Sequence, residues 1–173
     1  MKFDSGRLVY SPSDLVHYFD SPFSSWMDRY HIENPGQLKP DELSEDALLI
    51  IETGNEHERK ILQELRGSAG EPYEVPKDGK SMDASQRAFA SRIPMIYQAK
   101  LEAGDFAGYA DFIILDDHTG RYQIWDTKLA RSPKPYYAIQ LCCYSEMFAE
   151  MTGEPMPERF GIILGADAHG ICE

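Results

Sequence analysis

Residues 121–130 read RYQIWDTKLA, and the fold turns on how this stretch is understood. Ile124-Trp125 at one end and Leu129-Ala130 at the other mark a buried β-strand, yet Asp126 and Lys128 interrupt its middle. A strand's period of two puts those two charges on the same face. An isolated buried ion costs several kcal/mol or shifts its pKa until it is neutral, so the pair needs partners. The preceding segment FAGYADFIILDD (106–117) reads as a second strand, and MIYQAKLEA (95–103) as a third. Short turns at AGD (103–105) and DDHTG (116–120) join the three into a meander. Asp111 lies between apolar residues of the middle strand, and pairing through the DDHTG turn lets it approach Asp126. Two carboxylates against one Lys leave negative charge uncompensated. A hard divalent cation, Mg²⁺ or Mn²⁺, is the usual remedy.

The rest of the chain surrounds this meander with helices. YSPSDLVHYF (10–19) opens one, with Ser11 as cap, Pro12 at the first helical position and Asp14 in the first turn. Pro22 interrupts it, and a second short helix follows. LSEDALLIIETGNEHERKILQELRG (43–67) is the longest helical signal, capped by Ser44 and stopped by Gly67. Its apolar stripe runs Leu48, Ile51, Gly54, Glu58, Ile61/Leu62 and Leu65. Glu58 thus falls on an apolar stripe with His57 beside it, and Gly54 in mid-helix suggests close approach to another element. EPYEVP (71–76) suits an edge strand and SMDASQRAFASRI (81–93) a helix. KPYYAIQLCCYSEMFAEMTG (134–153) is a helix ended by Gly153, carrying Gln140 and Tyr144 one turn apart. RFGIILGAD (159–167) is a last apolar strand. The expected class is α/β, a mixed central sheet with a three-stranded meander flanked by helices.

At 173 residues the chain fits one domain, 1–173, and the stop just after the last strand suits the N-terminal part of a larger protein. No apolar run reaches ~18 residues and the N-terminus lacks a signal-peptide core, so the expectation is a cytoplasmic protein with no membrane partner. Three cysteines, two of them adjacent (Cys142, Cys143), make no disulfide framework, and the adjacent pair reads as core. A net charge of −12 argues against a broad nucleic-acid surface. The charge is uneven, however. Seven acids and no Lys or Arg lie between Asp41 and Glu58, whereas Arg121, Lys128, Arg131 and Lys134 face only Asp126 between 121 and 134. Arg131 and Lys134, directly after the charged strand, are candidates to meet a phosphate backbone.

Gly54-x-x-His57, Gly108-Tyr109-Ala110-Asp111, Asp126-x-Lys128 and Gln140-x-x-x-Tyr144, in this order, resemble the RecB family of PD-(D/E)XK nucleases. The likeness extends from SPSDL (11–15) to the last strand. It implies a restriction-endonuclease-like core and a Mg²⁺- or Mn²⁺-dependent DNA nuclease acting in repair, recombination or defence. It also implies a ribonuclease-H-like or helicase partner, fused or separate, and DNA substrates that are single-stranded or duplex ends. On this resemblance Asp111, Asp126 and Lys128 are catalytic. His57, Asp111, Asp126 and the Thr127 carbonyl bind metal, and Lys128 orients or activates water. Gln140 and Tyr144 hold the substrate strand or the Lys. Glu58 joins the metal set from its place on the helix stripe. Many relatives carry an early Cys-Pro and late cysteines for an iron–sulfur cluster. Here the early position is Ser21-Pro22 and too few cysteines remain, so no cluster is expected.

Taken singly, these residues have blander readings. Asp126 and Lys128 suit a structural ion pair, His57 a packed histidine, Tyr144 a core tyrosine, and Arg131 and Lys134 plain surface. The alternative functions are a catalytically inactive nucleic-acid-binding or assembly module of the same fold, and an acidic protein-interaction domain.

Overall fold

The computed structural model of the protein describes residues 1–165 and 171–172. The chain opens on a hairpin absent from the sequence reading, β1 (Lys2–Asp4) and β2 (Arg7–Val9). Its two-residue turn, Ser5-Gly6, has φ of 50° and 84°, as a tight hairpin connection requires. Strands this short and exposed carry no alternation to read.

Ser44 caps as expected, whereas at Ser11 the Asp14 carboxylate takes the capping role. Asp14 Oδ2 accepts from Ser11 N (2.7 Å) at the start of α1 (Pro12–Asp20). Ser21 Oγ caps α2 (Pro22–Glu33), and Ser44 Oγ caps α3 (Glu45–Ala69) by accepting from Ala47 N at 3.2 Å. One boundary is corrected. Helix α3 passes through Gly67 and ends at Gly70, whose φ of 92° leaves the helical region. A helical Gly costs only ~1 kcal/mol, which the neighbouring turns outweigh.

Next come β3 (Tyr73–Glu74), α4 (Ser81–Ala90), and the expected meander β4 (Met95–Ala103), β5 (Phe106–Leu115) and β6 (Tyr122–Lys128). Helix α5 (Pro135–Thr152) stops at the left-handed Gly153, and β7 (Phe160–Leu164) and β8 (Ile171–Cys172) close the order. The strands form one mixed sheet, β3-β4-β5-β6-β7-β8. The β3–β4 and β6–β7 pairs are parallel and the rest antiparallel. Strand β7 matches the apolar segment expected at 159–167, of which residues 166 and 167 lie outside the described part.

The two sheet faces bury different clusters. Ile96, Ile113, Ile124 and Ile162 pack with Ala88 and Phe89 of α4 and Leu141, Met147 and Phe148 of α5. Met95, Phe112 and Trp125 turn the other way, toward Ile61 and Leu62 of α3. Adjacent residues feeding opposite clusters is what a twice-covered sheet requires. Two sequence expectations fail here. The expected α3 stripe is buried only from Ile61 on, while Leu48 and Ile51 are half or more exposed. Of the adjacent pair only Cys143 is buried. Cys142, about 100° around the helix, faces out. Among the described residues no helix is long and apolar enough to cross a membrane.

Candidate active site

The meander's register assembles the site. Strands β5 and β6 pair through Phe112↔Trp125, and one step further the same register sets Asp111 opposite Asp126. On the other side, Gln98 of β4 falls opposite Asp111, between the pairs Tyr97↔Phe112 and Ala99↔Ala110. Gln98, Asp111 and Asp126 therefore form a row across three adjacent strands. Lys128 lies two residues beyond Asp126, with Nζ 2.6 Å from Asp126 Oδ2. The contact is an ion pair at hydrogen-bonding distance, and it favours the ionised form of Asp126.

Helix α3 adds Glu58 from above. Glu58 Oε1 accepts from the Tyr97 hydroxyl (2.7 Å) and from Gln98 Nε2. Gln98 Nε2 also reaches Asp111 Oδ1 at 3.3 Å. Asp111 Oδ2 accepts from both the backbone N (2.9 Å) and the hydroxyl (3.0 Å) of Thr127. Glu58 is thus turned inward. His57 beside it has a buried Nε2 with no hydrogen-bond partner. Close approach does not account for Gly54: a Cβ there would meet Leu129 Cδ1 at 3.9 Å, an ordinary contact.

Three carboxylates face one ammonium, and the titration behaviour reflects it. Burial, then the charges of Asp126 and Glu58, push Asp111 up to about 8, against the opposing influence of the Thr127 amide and Lys128. Asp126 is also raised, by burial, although Lys128 works the other way. Two acids side by side with raised affinity for protons hold charge reluctantly.

The α5 candidates lie deeper than substrate contact requires. Tyr144 is buried and donates its hydroxyl to the Tyr109 carbonyl (2.8 Å), and Gln140, one helical turn before it, is also buried. Tyr144 thereby anchors the β5 backbone two residues before Asp111. Gly108 is shaped by this anchor, since a Cβ there would lie 3.0 Å from the Tyr144 hydroxyl and 2.9 Å from Pro12 Cδ. Arg131 and Lys134 are exposed, with Lys134 Nζ 5.5 Å from the centroid of the Tyr136 ring.

Three participants escape the sequence reading: Gln98, Tyr97 and Tyr137, whose ring centroid lies 5.5 Å from Lys128 Nζ. Gln98 carried a usable signal. It is a polar residue inside an apolar strand, the same anomaly that marks Asp126.

Among the described residues no three His, Cys, Asp or Glu side chains are spaced to hold an ion. Glu58 and Asp111 are bridged by the Gln98 amide instead. The donor set nevertheless suits a hard divalent cation, since carboxylates from α3, β5 and β6 converge here. The chain matches no protein-family model, and a search of curated proteins returns no match.

Proposed function

We propose that this protein is a Mg²⁺- or Mn²⁺-dependent DNA nuclease of the RecB type, with the restriction-endonuclease-like core of the PD-(D/E)XK superfamily. The observation that carries the reading is the row of Asp111 and Asp126 with Lys128 Nζ 2.6 Å from Asp126 on the same strand. Carboxylates and an ammonium at a sheet's centre do nothing for the fold that apolar residues would not do better. Phosphodiester hydrolysis needs both.

A cation held by Asp111, Asp126 and Glu58, with His57 and the Thr127 carbonyl as further ligands, would supply Lewis-acid charge to water and to a phosphoryl oxygen. The protein's own groups do the remainder. Lys128 carries three N–H donors on a side chain held over Tyr137, so it can address a water while neutralising charge that develops on phosphate. The strands fix these groups rigidly, and the Tyr144–Tyr109 hydrogen bond holds the Asp111 segment in register. Arg131 and Lys134, just past the strand, supply positive charge for the nucleic-acid backbone.

Incubating labelled single-stranded and duplex DNA with Mg²⁺, with Mn²⁺ and with chelator tests the reading. Wild type should cleave only with metal. Lys128→Ala should lose about 10²- to 10³-fold or more in rate while still binding metal, because Lys is not a ligand. Cleavage by Lys128→Ala at the wild-type rate removes Lys128 from the mechanism. The closed Asp126–Lys128 pair favours a second reading, an inactive nucleic-acid-binding module of the same fold. Metal-independent DNA binding without cleavage by wild type would establish it.

A further inference from the structure

Gln98 has a φ of 55°, one of three non-glycine residues with positive φ among those described, and the other two (Ser5 and Arg92) lie outside strand interiors. A left-handed non-glycine residue in mid-strand is strained and persists only where its surroundings impose it. No residue is inserted: the β4–β5 register is the same on both sides, at Tyr97↔Phe112 and Ala99↔Ala110. What changes is the facing of the strand. Met95 and Tyr97 pack against the α3 cluster, whereas Ala99 and Leu101 join the cluster of α4 and α5. In a regular strand all four odd-numbered residues would share one face.

The side chain explains the location. Gln98 is 7% exposed, and its Nε2 touches both Glu58 Oε1 and Asp111 Oδ1. Both partners are carboxylate oxygens, and the amide presents its NH₂ to both. If conformation alone governed the position, Gly or Asn would be the fitting residue, since both tolerate left-handed backbone. Gln offers a longer reach instead, and here it joins a helix to a strand.

We propose that Gln98 is the positioning residue of this site. Its amide clamps Glu58 to Asp111, and its left-handed backbone turns β4 so that the clamp lies in the carboxylate row. The proposal rests on the metal-dependent reading above. With their outer lone pairs held by Gln98, Glu58 and Asp111 keep the orientation a divalent cation requires, the service that outer hydrogen-bond partners give to metal ligands.

The test measures Mn²⁺ affinity by electron paramagnetic resonance of free Mn²⁺, with thermal melts in chelator, for wild type, Gln98→Asn, Gln98→Gly and Asp126→Asn. Asn and Gly accept the backbone, but Asn is one methylene short and Gly has no amide. Both variants should stay folded in chelator and bind Mn²⁺ about 10- to 100-fold more weakly than wild type. If both bind Mn²⁺ like wild type while Asp126→Asn loses it, the metal site stands and the role of Gln98 is overturned. If both unfold in chelator, Gln98 serves folding alone and the proposal falls. If wild type binds no Mn²⁺, the metal reading fails and this inference fails with it.

Discussion

Close to its turn, the β5–β6 hairpin pairs Ile113 with Ile124, and both side chains are fully buried beneath α4 and α5. Two residues along the same strands, Asp111 stands opposite Asp126, with Lys128 following. The paired residues run from Leu115↔Tyr122 to Phe112↔Trp125, one step short of the two aspartates, and the energetics of the two ends are opposite. The apolar end gains from every buried methylene. The charged end crowds Asp111, Asp126 and Glu58 together, and burial shifts the two aspartates toward their neutral forms. A strand pair rigid enough to tolerate the second end must be anchored by the first.

The comparison breaks most visibly at Ile124. Ile124→Ala empties a fully buried position and should cost about 2–5 kcal/mol, read as a lower urea midpoint with unchanged slope. A loss below ~1 kcal/mol would mean that the turn end is not the anchor.

Asp126→Asn probes the other end with the opposite sign. Removing one of the crowded carboxylates should leave the metal-free protein melting at or above wild type in chelator. Mg²⁺ or Mn²⁺ should raise the melting temperature of wild type and do much less for the variant. If the variant melts several degrees lower in chelator and metal leaves wild type unmoved, Asp126 is a structural ion-pair partner.

A pH series sharpens the contrast further. Asp111 ionises near 8 in the folded chain and near 4 when unfolded, so between these values the native state binds more protons. Stability in chelator should therefore fall as pH rises across that window, and Asp126 adds to the fall with the same sign. Asp111→Asn should flatten the curve. An equal fall in that variant would place the cause elsewhere.

The smallest expected effect lies just past the charged end. Arg131→Glu with Lys134→Glu should weaken DNA binding and flatten the log–log salt dependence by up to ~0.9 in slope for each phosphate that these side chains neutralise in wild type. An unchanged slope returns both residues to ordinary surface.

Much of this contrast was legible in the residues. Asp126 and Lys128 sharing a face, Asp111 across the turn and Glu58 on a helix stripe all follow from periods of 2 and 3.6. The apolar stripe of α3 misled at Leu48 and Ile51, because periodicity says which side is apolar but not whether anything covers it. Tyr144 was equally ambiguous: a tyrosine on a buried stripe suits a core or a ligand contact until its hydroxyl is seen on the Tyr109 carbonyl.

The linear sequence determined the order of the elements from α1 to β7, the caps at Ser44 and Gly153, and the meander, since each depends on neighbours within a few residues. It also determined which charges were out of place. Only the tertiary structure decided that Gln98 clamps Glu58 to Asp111, that β4 switches its facing there, and that Lys128 rests between Asp126 and Tyr137. The Gln98 clamp joins residues 13 and 40 positions apart. Such contacts arise from packing a helix onto a twisted sheet, and no local preference encodes them. The left-handed Gln98 runs against its own local preference, and the surrounding packing holds it there.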